Sequence, residues 1–300
     1  MVTATLVETV KVNNELGEGV IWDVSGAAVW WTDIEGSLLY RYRPADKHLD
    51  QWSTPERLGS FALIADSDYL ICGFASGFAY YNPVTGDIQW LQKIDQDNPG
   101  TRLNDGRADR QGRFWAGSMV ESGEQGVGAL YCLDRQLQAS NKLSGLSISN
   151  SLCWSPDSKI MYHTDTPSRR LFRYDFDSHS GALSNPAVLL RTKRGCFPDG
   201  STVDAQGYIW NAQWGASRIV RYSPNGDEDF VLPLSVSQPT CVAFGGPQMD
   251  RLFVTSAHQG LSGEALVAQP EAGNLLVFQT DVQGIQDPVF IPEVPPVKTV

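Results

Sequence analysis

Four short segments place an oxygen-bearing side chain beside glycine, proline or serine, residue types that favour sharp changes of backbone direction. Asp199 lies in a Pro-Asp-Gly sequence, just before a strand-like run. Asn104 lies in Asn-Asp-Gly, Asn150 in Ser-Asn-Ser, and Glu18 between two glycines. Because these segments stand at the starts of repeated units, we expect the four side chains to gather around one axis.

Metal binding is the chemistry that Glu18, Asn150 and Asp199 suggest. Asn150 and Asp199 are 49 residues apart, close to one repeat, so equivalent places in adjacent units should face the same axis. Two carboxylates and an amide supply only oxygen, which suits Ca²⁺, Mg²⁺ or Mn²⁺, although carboxylates also bind Zn²⁺ and Fe²⁺. Three protein ligands leave coordination positions for water and substrate. The alternative is that these are ordinary turn residues at the surface.

Polar recognition is the second chemistry, in the segment that holds Arg102 and Asn104. Arginine and asparagine donors bind hydroxyls or a carboxylate well. Glu121, a little further along the chain, can accept hydrogen bonds from sugar hydroxyls. Each of these residue types is common at protein surfaces, so the prediction depends on their sharing one structural unit.

A repeated pattern of apolar and aromatic strands explains how distant residues would meet. Its equivalent positions are Trp30, Leu70, Phe114, Met161, Ile209 and Leu252. The steps between them are 40, 44, 47, 48 and 43 residues, which is room for four strands and their turns. This period predicts an all-β, six-bladed β-propeller that forms a single domain over residues 1–300.

The two ends of the chain are predicted to differ. The strand at about residues 5–12 should pair with the last blade, near residues 275–291, and close the ring. The tail from about residue 292 is rich in proline and is expected to fray.

Composition excludes several other classes of function. A formal net charge of −11 on 300 residues argues against nucleic acid, because phosphates require a cationic surface. Five widely spaced cysteines argue against a zinc finger or a disulfide framework. The sequence shows no signal peptide and no apolar run of the roughly 18 residues that a membrane helix needs. We therefore expect no membrane partner and a cytoplasmic location, and leave the oligomeric state open.

Several motifs, in the same order along nearly the whole chain, resemble one known family. They are Leu-Gly-Glu-Gly (16–19), Arg-x-Asn-Asp-Gly (102–106), Gly-Arg-Phe-Trp-Ala-Gly-Ser-Met (112–119), Ile-Ser-Asn (148–150), Pro-Asp-Gly (198–200) and Ala-Gln-Pro-Glu-Ala-Gly (268–273). The chain resembles the senescence-marker protein, gluconolactonase and regucalcin-like family of six-bladed propellers.

The resemblance implies a role for each candidate residue. Glu18, Asn150 and Asp199 would bind one divalent metal cation, with Asn104 close by. Arg102, Asn104 and Glu121 would contact the substrate. Asp199 would also be the general base of a sugar-lactone hydrolase, while residues 122–128, where family members differ in length, leave the sugar undetermined.

The expected reaction is metal-dependent hydrolysis of an aldonolactone to its open-chain acid. One alternative is another metal-dependent esterase or a phosphotriesterase built on the same ring. A non-enzymatic calcium-binding propeller is a further alternative, since a fold does not fix a function.

Overall fold

Short strands separated by turns run through almost the whole chain, as its β-branched and aromatic residues favour. The computed structural model describes residues 2–297. Its strands are β1 (Ala4–Val10), β2 (Gly17–Asp23), β3 (Ala28–Asp33), β4 (Leu38–Arg43), β5 (His48–Ser53), β6 (Leu58–Leu63), β7 (Leu70–Phe74), β8 (Gly77–Tyr81), β9 (Ile88–Lys93), β10 (Thr101–Ala108), β11 (Phe114–Val120), β12 (Gly128–Leu133), β13 (Ala139–Leu146), β14 (Ser149–Trp154), β15 (Ile160–Asp165), β16 (Arg170–Asp177), β17 (Ala182–Arg191), β18 (Phe197–Val203), β19 (Ile209–Trp214), β20 (Arg218–Tyr222), β21 (Glu228–Pro233), β22 (Pro239–Gly245), β23 (Arg251–Ser256) and β24 (Leu275–Thr280). A 3₁₀ turn (Thr166–Ser168) and one short helix, α1 (Gly263–Ala268), interrupt them.

The strands form six four-stranded sheets, which confirms the predicted six-bladed propeller. Blades 1 to 5 each use four consecutive strands, beginning with β2, β6, β10, β14 and β18. Blade 6 combines β22, β23 and β24 with β1. The first strand of each blade is innermost, and each inner strand contacts its two neighbours around a closed ring. Stacking the blades covers the apolar faces that one sheet alone would expose.

Ring closure by the first strand is confirmed. β1 pairs antiparallel with β24, so that Ala4 lies opposite Thr280 and Val10 opposite Leu275. Two hydrogen bonds attach part of the tail that is expected to fray from about residue 292. Tyr80 donates from Oη to the Val294 carbonyl at 2.8 Å, and the Val297 amide donates to Gln89 at 3.0 Å. The last part of the predicted frayed segment, 298–300, lies outside the described residues.

The apolar core lies between the blades. Buried aspartates in the turns after inner strands accept hydrogen bonds from side chains at its edge. Asp109 accepts hydrogen bonds from Trp115 Nε1 (2.8 Å) and Arg113 Nε (2.6 Å). Asp204 accepts from Trp210 Nε1 (2.9 Å) and Arg221 Nε (2.8 Å). Each aspartate thereby fixes a tryptophan of the second strand in the space between two sheets.

None of the helices that the structure describes between residues 2 and 297 is long and apolar enough to cross a membrane.

Candidate active site

Irregular pairing of the inner strands directs the candidate ligands to one end of the propeller. The register between inner and second strands shifts after Glu18 in β2, after Asn150 in β14 and after Pro198 in β18. Gly19 and Ser151, the residues that follow the first two, have φ values of 61° and 63°. Such bulges reorient the neighbouring side chains, and they are common next to functional sites.

Asp199 differs in local structure from the expectation of a tight turn before a strand. It lies inside β18, because Phe197 and Pro198 already pair with Trp214 and Gln213 of β19. The Pro-Asp-Gly sequence therefore forms the bulge itself. Gly200 allows this geometry, since a Cβ there would come within 2.6 Å of the Cys241 sulfur.

The loops that lead into the inner strands are held by aspartates at the ends of second strands. Asp33 accepts from the Leu16 amide at 2.9 Å, two residues before Glu18. Asp165 accepts from the Ile148 amide at 2.8 Å, two residues before Asn150. The same hydrogen bond from a loop amide to an aspartate therefore holds the backbone near Glu18 in blade 1 and near Asn150 in blade 4.

A cavity of ≈ 540 Å³ opens at this end of the propeller and brings all six predicted site residues together. They are Glu18, Arg102, Asn104, Glu121, Asn150 and Asp199. The remaining wall is largely apolar, and it includes Met119, Ile148, Pro167, Phe197 and Trp214. Its polar and apolar sides are suited to a small molecule that carries hydroxyls on one edge.

At the base of the cavity, Glu18 and Asp199 form a pair of buried carboxyl groups. Each side chain is 7% exposed, and the two are hydrogen-bonded to each other. Burial, and then the nearby charge of Asp105, raise the pKa of Glu18 to about 8. Burial, and then the charge of Glu18, raise the pKa of Asp199 well above its usual range. Neither carboxylate forms an ion pair with a lysine or arginine of the described residues.

Two amides extend this pair through a chain of hydrogen bonds across three blades. Asn104 Nδ2 donates to Asn150 Oδ1 at 3.2 Å, and Asn150 Nδ2 donates to Thr166 Oγ1 at 2.9 Å. The Thr166 hydroxyl donates in turn to the Pro198 carbonyl at 2.9 Å, next to Asp199. Both amide oxygens are thereby held in fixed orientations beside the carboxyl pair.

Arg102 and Glu121 form the polar wall above the carboxyl pair. Arg102, which is 3% exposed, donates from Nε to Glu121 Oε1 at 3.1 Å and from Nη1 to Asn104 Oδ1 at 2.7 Å. Burial lowers the pKa of Arg102, whereas a hydrogen bond from Arg57 lowers the pKa of Glu121. Arg102 therefore connects the wall of the cavity to the amides at its base.

Sequence reasoning did not assign a role to four residues that complete the site. Asp105 is buried below the carboxyl pair and accepts from the Leu152 amide at 2.9 Å. Thr166 links two of the blades, and Arg57 contacts both Glu35 and Glu121 at the rim. A search of the loops that lead into inner strands would have found Arg57, which immediately precedes β6.

The donor set fits a hard divalent cation. Among residues 2–297, no group of three or more His, Cys, Asp or Glu side chains is arranged to hold a metal ion. The predicted set of Glu18, Asn150 and Asp199 contains only two residues of these types, because Asn150 supplies an amide oxygen. Two buried carboxyl groups in contact, without a cationic side chain between them, are nevertheless stabilised by a cation that neutralises their charge.

Comparisons with known proteins give a consistent result. Residues 16–258 match the family model described as SMP-30/Gluconolactonase/LRE-like region. The chain is 40% identical to the L-arabinolactonase of Azospirillum brasilense, over 91% of each chain. It is 32% identical to the 6-deoxy-6-sulfogluconolactonase of Pseudomonas putida, over 95% of this chain and 98% of that one. A solved structure of a calcium-binding protein, regucalcin, from Agrobacterium tumefaciens superposes with a TM-score of 0.90 at 30% identity, over 95% of this chain and 97% of that one.

Proposed function

Because the chain belongs to the SMP-30/gluconolactonase/LRE-like family, we propose that it hydrolyses a sugar lactone to the corresponding sugar acid with the help of one divalent cation. The observation that carries this proposal is the cavity of ≈ 540 Å³ that a buried carboxyl pair shares with Arg102, Asn104 and Glu121, whose side chains can form hydrogen bonds with hydroxyls. Relatives named as lactonases support the same reaction.

Glu18, Asn150 and Asp199 would hold the cation, with Asn104 beside them. A bound Ca²⁺, Zn²⁺, Mn²⁺, Mg²⁺ or Fe²⁺ acts as a Lewis acid on a carbonyl oxygen. The chain itself supplies orientation: Arg102 donates hydrogen bonds to the lactone, and Glu121 accepts them from its hydroxyls. Asn104 would contact the lactone beside them while its Nδ2 donates to the Ser149 carbonyl and Asn150 Oδ1.

Asp199 is the proposed general base. It accepts a proton from the attacking water as the water oxygen bonds to the carbonyl carbon. The bond between the acyl carbon and the ring oxygen then breaks, and the same proton passes from Asp199 to that ring oxygen. Water is thereby added across the ester bond, and the product is an open-chain hydroxy acid.

A second candidate reaction is hydrolysis of an ester or phosphotriester with an apolar leaving group. Phe197 and Trp214 on the apolar side of the cavity favour this candidate. The polar wall formed by Arg102 and Glu121 argues for a polyol instead, since those buried charges bind an apolar group poorly.

The test is a proton-release assay over a panel of pentono- and hexonolactones, with phenyl acetate and a phosphotriester as competing substrates. The protein is first treated with a chelator and then supplied with each of the five cations in turn. We expect lactone turnover that the chelator abolishes and a cation restores. Turnover of the aryl ester or phosphotriester alone would replace the proposal with the second candidate, and full activity after chelation would remove the cation from the mechanism.

A further inference from the structure

A second group of charges lies at the rim of the cavity, above the residues proposed to bind the cation. Arg57 donates from Nη1 and Nη2 to the two carboxylate oxygens of Glu121, at 2.7 and 2.6 Å. Its Nη1 also donates to Glu35 Oε1 at 3.2 Å. Paired hydrogen bonds between guanidinium and carboxylate groups are strong and fix both partners. We call Glu35, Arg57 and Glu121 the rim triad.

The rim triad leaves no positive charge available to a ligand. Arg102 is the cation among the described side chains that line the cavity, and its charge is paired with Glu121. Its Nη1 also donates hydrogen bonds to Asn104 Oδ1 and to the Leu103 carbonyl. Arg57 and Arg102 together offset Glu35 and Glu121, so the two arginines have no charge in excess of these carboxylates.

The carboxylates of the rim triad, by contrast, face the cavity. Glu35 and Glu121 both belong to its lining, and the side chain of Glu121 is 32% exposed. Carboxylate oxygens accept hydrogen bonds from several donors at once, so they can bind sugar hydroxyls while remaining paired with arginine. A phosphate or sulfonate in the same place would face carboxylate oxygens, and both arginines nearby already have their charges paired, so its binding is disfavoured.

We infer that the cavity is selective for lactones whose substituents are uncharged, and that Glu35 and Arg57 are specificity-determining residues. The rim triad accepts hydrogen bonds from neutral hydroxyls and repels an ionised group at the end of the sugar chain remote from the lactone carbonyl. This inference rests on the proposed lactonase activity and specifies its substrate class.

The first experiment compares two substrates that differ by one charged group. Glucono-1,5-lactone and 6-phosphogluconolactone are assayed with the metal-loaded enzyme at low ionic strength, beside L-arabinono-1,4-lactone. We expect kcat/KM for the phosphorylated lactone to be lower by about 100-fold or more. Inhibition constants for glucitol and glucitol 6-phosphate, which do not react, should differ in the same direction.

A matched pair of variants tests whether the charge of Glu35 determines the preference for neutral lactones. Glu35→Gln removes one negative charge from the rim triad, and we expect the ratio of phosphorylated to neutral kcat/KM to rise by about tenfold. Glu124→Gln removes the same charge from an exposed position of the 121–128 loop, and should leave that ratio unchanged. A merely structural role for Glu35 would lower both rates together and keep the ratio constant.

Two results have different consequences. Comparable kcat/KM for the phosphorylated and neutral lactones, or a ratio that Glu35→Gln does not move, would overturn the inference and leave the lactonase proposal standing. Failure to turn over any lactone, with active metal-loaded controls of a known lactonase, would overturn both.

Discussion

Two kinds of buried carboxylate occur in this propeller, and their partners differ. Asp204 accepts hydrogen bonds from the Trp210 indole and the Arg221 guanidinium, and also from the backbone amides of its own turn. Glu18 and Asp199 contact each other instead, and burial raises the pKa of both. A carboxylate with a full set of donors stabilises a blade, whereas the contact between two buried carboxyl groups supports the proposal that Glu18 and Asp199 bind a cation.

The largest expected effect concerns Asp199. Replacing Asp199 by Asn keeps the size of the side chain and removes the proton acceptor, so we expect kcat to fall by about 10²–10⁴-fold. Steady-state kinetics on a neutral lactone at saturating metal measure this. The folded structure should persist, as judged by the tryptophan fluorescence spectrum, and kcat within tenfold of the wild type would contradict the assignment of the base.

Asp204→Ala tests the carboxylate that accepts hydrogen bonds from an indole, a guanidinium and backbone amides. The change leaves Arg221 paired only with the partly exposed Asp229, so we expect the free energy of unfolding to fall by up to about 3–5 kcal/mol, the cost of removing one partner of a buried pair. Urea unfolding followed by fluorescence would measure the loss, while kcat of the folded fraction should stay close to that of the wild type. Asp46→Ala, which removes an exposed ion pair with Arg43, is the control and should not shift the unfolding midpoint measurably. Equal midpoints for the two variants would remove the distinction between the two kinds of carboxylate.

A smaller effect should appear in the pH dependence of stability of the chelated protein. The folded-state pKa of Glu18 is raised from 4.5 to about 8, so the folded protein binds this proton more tightly than the unfolded chain. Its contribution to stability is complete below pH 4.5 and is lost as the pH rises towards 8, with a slope of up to about 1.4 kcal/mol per pH unit.

Glu18→Gln should flatten this slope and raise the unfolding midpoint of the chelated protein near pH 8. It should also reduce the increase in midpoint that added cation produces. Urea titrations at several pH values, with and without Ca²⁺, supply both measurements. A slope that is the same in the variant and the wild type would show that Glu18 does not carry the raised pKa.

The fold was predictable because its signal is local and repeated. Trp30, Phe114 and Ile209 were taken as equivalent in sequence, and they lie on the second strands of blades 1, 3 and 5. The aromatic and apolar runs that mark these strands recur in each blade, and the packing between blades requires them. Ring closure by the N-terminal strand was predicted as well, and the pairing of β1 with β24 confirms it.

The site was predictable only in part. The six predicted residues line one cavity. Five of them lie on inner strands, which face the same axis in any propeller, and Glu121 follows the end of β11, the second strand beside β10. Their metal, substrate and base roles remain predictions. Arg57 and Glu35 were missed because each resembles an ordinary surface charge, and their contacts span 22 and 64 residues of sequence. The bulge at Asp199 was missed because strand pairing, and not local preference, sets where β18 begins.

Blade 6 separates the blade that carries Glu18 from the blade that carries Asp199, and it needs both chain ends, since Ala4 pairs with Thr280. During translation, β22 and β23 are synthesised before β24, so a nascent chain still lacking β24 contains the inner strand of every blade but not the strand that pairs with β1. The pairing of β1 with β24 is therefore the last contact that closes the ring, and the onset of the proposed cation affinity during synthesis would report whether the carboxyl pair depends on that closure.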